Sequence, residues 1–416
     1  MALTQTHGID VGAVKRDFPL LEREIHGTRI VFLDSAASSQ KPRSVLEAMD
    51  HYYETTHANV HRGVYTIAEE ATRLMEEARG KVRSFIGAAS DGEIVFTRNA
   101  TESINLVARS WGRANLGPGD SILLTHLEHH ANIVPWQMLA AERGVEIRWI
   151  PLTGDGHLDL SDLDRLLDSV KLVGVSAMSN VLGTITPIGT IADAAHAAGA
   201  VVVVDACQYV PGVATDVGAM GADFLAFSSH KMLGPTGIGV LWGREALLDA
   251  MPPFLGGGEM IRDVRLDGFT TAELPWKFEA GTPAIAESIG LGAAIDYLDE
   301  LGMDAVRAHE IEMTRYAMDL LTRRFGERIT LHGPADATER GGVLSFAFDD
   351  LHPHDISQVL DQHGVCVRAG HHCAKPLMRL LGVNATARAS FYVYNDEADA
   401  DALADALEQA SDFFAF

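Results

Sequence analysis

Four consecutive valines ending in an aspartate, Val201-Val202-Val203-Val204-Asp205, constrain this chain more than any other stretch. A short run of β-branched residues with no polar alternation is a strand buried on both faces, and so belongs inside a mostly parallel sheet. Asp205 then stands where that strand leaves the sheet. A second apolar run at 224–227 delivers Ser228, Ser229, His230 and Lys231 to the same edge. The chain has only seven lysines in 416 residues, and a lysine set between apolar runs is not a typical solvated charge. A carboxylate and a lysine on neighbouring strand ends are what a pyridoxal phosphate enzyme uses. The amine attaches to the cofactor's aldehyde, and the carboxylate keeps the pyridine nitrogen protonated so that the ring draws electrons. The alternative is a strand-end lysine that only caps a sheet.

The rest of the composition narrows the class. With 47% hydrophobic and 22% charged residues the chain reads as an ordinary globular protein, long enough for a large unit and a smaller one. A formal charge of −24 argues against nucleic acid and against anionic membranes as partners. The first residues lack the pattern of a signal peptide, and no apolar run approaches the length of a membrane span. Cys207, Cys366 and Cys373 form no framework, which fits a reducing compartment, and a soluble cytoplasmic protein is expected.

Strand patterns at 94–96, 121–124, 172–177, 201–204, 224–227 and 239–242 alternate with amphipathic stretches such as 67–86 and 191–198. That alternation predicts an α/β unit around a mostly parallel sheet. From 292–301 a helix leads onward, and 341–348 and 364–368 read as strands of a smaller α+β unit closed by a helix near 398–413. The expected division is an N-terminal arm at 1–30 packing on the small domain, a large domain at 31–295 and a small C-terminal domain at 296–416.

Two further clusters carry chemistry. Asn99-Ala100-Thr101-Glu102 follows the strand at 94–96 and opens a helix; Asn99 with Glu102 three residues on resembles a capping box. A helix N-terminus suits a phosphate, and Ser228 and His230 flank Lys231 within reach of the same group, although most such helix starts are caps and nothing more. The second cluster is Arg368-Ala369-Gly370-His371-His372-Cys373-Ala374. A thiol beside two imidazoles and near an arginine has the surroundings that nucleophilic cysteines use. Zinc held by His371, His372, Cys373 and Cys366 is one alternative reading, and a buried structural cysteine is the other, which suits Cys366 better than Cys373. Cys207, near Asp205, reads as packing.

Taken together, SSHKMLGPTGIG, RAGHHCAKPL, DACQ, LEHHANIVPWQ, SNVLGT, VHRG and FEAGTP resemble the SUF-type, group II, cysteine desulfurases of aminotransferase class V, collinearly from about Phe18 onward. The resemblance implies a fold-type I pyridoxal phosphate enzyme that works as a homodimer. It implies that Lys231 holds the cofactor, that Asp205 pairs with the pyridine nitrogen, and that Gln208 and Asn180 approach the ring phenolate. His129 would stack on the ring, and Thr101, Ser228 and His230 would hold the phosphate together with Thr282 from the partner subunit. Arg388, with Arg368 and His61, would bind the substrate, and Cys373 would attack its sulfur.

The implied reaction converts L-cysteine to L-alanine, leaving a persulfide on Cys373 for a sulfur acceptor in iron-sulfur cluster assembly. Selenocysteine lyase, cysteine sulfinate desulfinase and other class V activities are the alternatives within the same resemblance. His352-Pro353-His354-Asp355 is similar to the version found in relatives that use a zinc-containing SufU-type acceptor, with a SufE-type acceptor as the other option; the same residues also read as a plain helix N-terminal turn. Ala100 stands where many relatives carry a hydroxyl, so one phosphate contact there falls to the backbone.

Overall fold

The four valines do lie inside a sheet: Val202, Val203 and Val204 are fully buried. The structure, a computed structural model, describes residues 8–414, so residues 1–7 of the expected arm lie outside the described residues. After a small hairpin, the chain forms β1 (Val31–Phe32), α1 (Thr66–Phe85), β2 (Ile94–Thr97), α2 (Ala100–Val107), β3 (Ser121–Thr125), β4 (Glu146–Ile150), β5 (Val170–Ser176), β6 (Val201–Asp205), β7 (Phe224–Ser228) and β8 (Gly239–Gly243). Strands β2 to β8 make a seven-stranded sheet in the order β2-β8-β7-β6-β5-β3-β4. Neighbours from β7 through β4 pair in parallel, and β8 runs against β2 and β7. This is the expected α/β architecture.

Helices cover the sheet because their apolar positions recur at helical spacing. On α1, Ala68, Ala71, Met75, Ala78 and Val82 are buried in one stripe. They pack on α3 (Ile285–Leu301), where Gly292 admits the approach: a Cβ there would lie 3.1 Å from that of Ala78.

After α3, helix α4 (Met303–Phe325) leads to the smaller unit: β9 (Ile329–His332), β10 (Val343–Phe348), α5 (Pro353–Gln362), β11 (Val365–Cys366), β12 (Arg368–Gly370), α6 (Lys375–Leu380), β13 (Thr386–Ser390) and α7 (Glu397–Phe414). Its four-stranded sheet has the order β9-β10-β13-β12. The single strand expected at 364–368 is split. Val365 and Cys366 pair in parallel with Val31 and Phe32 of β1, whereas Arg368 to Gly370 pair with β13. The N-terminal segment therefore touches the C-terminal unit, and Lys15 adds an ion pair to Asp399 at 2.9 Å.

No helix among the described residues is long and apolar enough to cross a membrane.

Candidate active site

The parallel pairing of β6 with β7 sets Asp205 and the turn Ser229–Lys231 side by side at the carboxyl edge of the sheet, where open α/β sheets bind ligands. A cleft of about 250 Å³ opens there. Lys231, Asp205, Gln208, His129, Asn180, Thr101, Ser228, His230, Arg368 and Arg388 all line it. Ten of the residues singled out in the sequence thus converge from both units.

At the floor, Asp205 is 5% exposed and its Oδ1 accepts the Cys207 N–H at 3.1 Å. Burial pushes His129 down to about 4, against the pull of the Asp205 carboxylate, so its ring is neutral; its Nδ1 accepts the Ala131 N–H at 3.0 Å. Burial, with Lys231 and Lys41 nearby, likewise pushes His230 down to about 4. Gln208 donates to the Ala36 carbonyl at 2.8 Å.

One wall is the start of α2. Asn99 Oδ1 accepts the Glu102 N–H at 3.0 Å, and the Ala100 N–H donates to Ser228 Oγ at 2.9 Å. Gly239 makes this contact of helix on strand possible, since a Cβ there would fall 2.5 Å from the Asn99 Cα. Asn99, Ala100 and Thr101 face the cleft at a turn whose backbone N–H groups are not all used within the helix.

The opposite wall holds two arginines. Arg368 and Arg388 are direct cross-strand partners on β12 and β13, an arrangement that like charges oppose. Arg388 is fully buried. It donates to the Asn180 carbonyl at 2.9 Å and to Asp34 Oδ1 at 3.1 Å, while its Nε has no partner. Burial pushes Arg388 down to about 10 and raises Asp34, each opposing the other's shift. Two cations with one carboxylate between them suit an anionic ligand.

Cys373 does not line the cleft; its Sγ lies 3.7 Å from Arg368, which does. The thiol sits on a loop in which His372 (φ 49°) and Cys373 (φ 57°) are both left-handed. The loop is tied to the seven-stranded side by Asn180 Nδ2 donating to the His372 carbonyl at 2.6 Å and by the His130 N–H donating to the Cys373 carbonyl at 2.8 Å. His372 itself is buried, with Nε2 2.9 Å from Thr386 Oγ1. The four residues of the zinc alternative do not converge: among the described residues no group of three or more His, Cys, Asp or Glu is placed to hold a metal ion.

Two singled-out residues stand elsewhere. His61 Nε2 lies 2.9 Å from Glu76 Oε1 and its ring meets Trp276 edge-on. Thr282 lines a separate cavity of about 360 Å³ beyond Arg98 and Glu102, the neighbours of the α2 start.

Other contributors were missed from the sequence. Cys207 does more than pack: it lines the cleft, although burial and the Asp205 carboxylate push its thiol far up and keep it protonated. Lys41 and Ser39 both donate to the His230 carbonyl and so pin the turn that carries Lys231. Glu128 is a buried hub. Its carboxyl accepts from Thr125 Oγ1 (2.6 Å), Asn132 Nδ2 (2.6 Å), and both the N–H (2.9 Å) and Oγ (2.6 Å) of Ser176, joining the His129 loop to the end of β5.

Comparison with known proteins agrees with this architecture. The aminotransferase class-V family model matches residues 31–403. A protein of Streptomyces coelicolor named probable cysteine desulfurase is 52% identical, over 99% of this chain and all of that protein. A cysteine desulfurase of Haloferax volcanii is 46% identical over the full length of both. Among solved structures, the apo cysteine desulfurase from Thermococcus onnurineus superposes with a TM-score of 0.92 at 40% identity, covering both chains entirely. The cysteine desulfurase CsdA (S-sulfonic acid) from Escherichia coli gives 0.89 at 38% identity, over 98% of this chain and all of that one. The chain with Asp205 and Lys231 at adjacent strand ends is a member of the aminotransferase class-V family, in the group whose curated members are named cysteine desulfurase.

Proposed function

We propose that this protein is a pyridoxal phosphate-dependent cysteine desulfurase that turns L-cysteine into L-alanine and takes the sulfur as a persulfide on Cys373. The observation that carries the reading is the pairing of Asp205 with Lys231 in one cleft, beside a thiol 3.7 Å from a lining arginine. The residues fit the cofactor: a buried carboxylate, a lysine, a neutral imidazole and a helix start backed by Ser228 are its usual binding chemistry. When bound, pyridoxal phosphate supplies an electron sink for the pair released at the substrate Cα.

Lys231 would hold the cofactor, and its free Nζ would take the Cα proton of the substrate. Arg388, with its free Nε, and Arg368 opposite bind the substrate carboxylate. The Cys373 thiolate then bonds to the substrate sulfur as the Cβ–S bond breaks; that electron pair stays with carbon, and a proton completes the methyl group of alanine. L-cysteine and a thiol thus yield L-alanine and a persulfide, with no external oxidant.

In this reading the enzyme is a cytoplasmic homodimer. A second copy would bring Thr282 to the cofactor phosphate, since Thr282 does not line the protomer's own cleft. The persulfide sulfur passes to an acceptor of the SUF system for iron-sulfur cluster assembly. A zinc-bearing SufU-type acceptor is favoured over a SufE-type one by the exposed His354 at the start of α5, an imidazole able to replace a zinc thiolate. His354→Ala should spare persulfide formation and abolish stimulation by a SufU-type protein; survival of the stimulation would remove the zinc-exchange reading.

The central test is Cys373→Ser. The variant should keep the cofactor and its yellow colour while forming neither persulfide nor sulfide from L-cysteine. Normal sulfide release by this variant would refute the nucleophile assignment.

A further inference from the structure

Two contacts join the chain at Cys373 and just beyond it to a single residue, His130. Its N–H donates to the Cys373 carbonyl at 2.8 Å, and its imidazole Nε2 accepts the Lys375 N–H at 3.0 Å, across 245 residues of sequence. Lys375 opens α6, where the first N–H groups have no intrahelical acceptor, so the ring lone pair caps that helix. The loop needs such holding, because His372 and Cys373 both occupy the left-handed region that residues with a Cβ avoid. Accepting at Nε2 requires a neutral ring with its proton on Nδ1. Burial, with His371 and Lys375 close by, lowers the His130 pKa and favours that form. Its neighbour His129 lines the cleft. One dipeptide therefore serves two parts of the reaction.

We infer that His130 is a positioning residue for the sulfur-transfer step, clamping the loop at the Cys373 carbonyl and at Lys375 just beyond it so that Sγ stays where the substrate sulfur arrives. The inference rests on the desulfurase reading above. It assigns His130 no part in proton removal at Cα, which belongs to Lys231 inside the cleft. A residue that only stabilises the fold would affect both steps; a clamp affects one.

The test compares wild type, His130→Ala and His130→Gln, each with cofactor bound. Persulfide on Cys373 is followed by alkylation and mass measurement during a first turnover with L-cysteine. Exchange of the Cα proton of L-alanine into heavy water, which needs no thiol, is followed alongside. His130→Ala should slow persulfide formation about tenfold to a hundredfold, the scale of a reacting atom displaced by ~1 Å. Its Cα exchange should stay within about twofold of wild type. His130→Gln, whose Oε1 can accept the same N–H, should recover most of the loss. A wild-type persulfide rate in His130→Ala, an equal fall in both rates, or a glutamine variant no better than alanine would overturn the clamp. If wild type itself forms no persulfide while still exchanging L-alanine, the desulfurase reading fails first, and the clamp has no step to serve.

Discussion

The strand ends and the cysteine loop solve the same problem, holding a reactive group still, by different means. Asp205 ends a continuous buried strand, and Lys231 follows another by one short turn: Val204, Leu225 and Phe227 of those strands are fully buried, so moving either group strains the core. Cys373 is placed by hydrogen bonds from His130 and Asn180 onto a loop with two strained residues, each costing roughly 1–3 kcal/mol. A group fixed by packing is rigid. A group fixed by a few main-chain bonds can be released, and that suits the role proposed for this thiol, to collect a sulfur atom and pass it on.

Lys231→Ala is the harshest test of the rigid half. Alanine production from L-cysteine should fall by more than about a thousandfold, since the proposed cofactor attachment and proton removal are both lost, while the thermal midpoint of the protein changes little. A borohydride-stable cofactor adduct at another lysine would break the comparison. Asp205→Asn should follow, with a fall of about a hundredfold in turnover and no unfolding, because the amide keeps the shape but not the charge; wild-type rates would mean that packing alone suffices there.

Glu128 sharpens the same half through pH. Burial pushes its carboxyl from the ordinary 4.5 up to about 7, against four donated hydrogen bonds. Between those values the folded chain keeps a proton that the unfolded chain has lost, so stability from this group is present below about pH 4.5 and is lost as pH rises to about 7. The loss should reach about 3–4 kcal/mol at roughly 1.4 kcal/mol per pH unit. Denaturant titrations of wild type and Glu128→Gln across that window measure it; parallel profiles for the two would show that the hub does not titrate there. The mildest expectation belongs to Cys366, a half-buried thiol whose pKa is raised by burial. Cys366→Ala should cost about 1–2 kcal/mol of stability at most and leave persulfide formation intact.

What was legible in the sequence follows the same divide. The strands at 201–205 and 224–228 are visible because burial on both faces demands consecutive apolar residues, and the polar residues that end them stand out. Strand β13, Thr-Ala-Arg-Ala-Ser, escaped notice as a strand because its residues have little β preference; it is fully buried only because β10 and β12 flank it. The split at 364–370 was hidden for a similar reason, as the partner of Val365 and Cys366 lies at the far end of the chain. Glu128 and His130 act through partners 48 and 245 residues away, and no local pattern announces contacts of that range. Their neighbour His129 was found by motif, which names a position without showing what supports it.

The pairing of β1 with β11 also dictates when the enzyme can become active. Asp34, two residues beyond β1, supplies the carboxylate for Arg388, 354 residues later. A ribosome delivers the first of these near the start of synthesis and the second near its end. The seven-stranded sheet, whose strands all lie between residues 94 and 243, can assemble in the interval, but the Asp34–Arg388 pair cannot. Closing so long a loop makes that pair a late event in folding. A nascent or truncated chain therefore holds Asp205 and Lys231 without the Asp34–Arg388 pair and the Cys373 loop, and the proposed sulfur chemistry waits for the C-terminal unit.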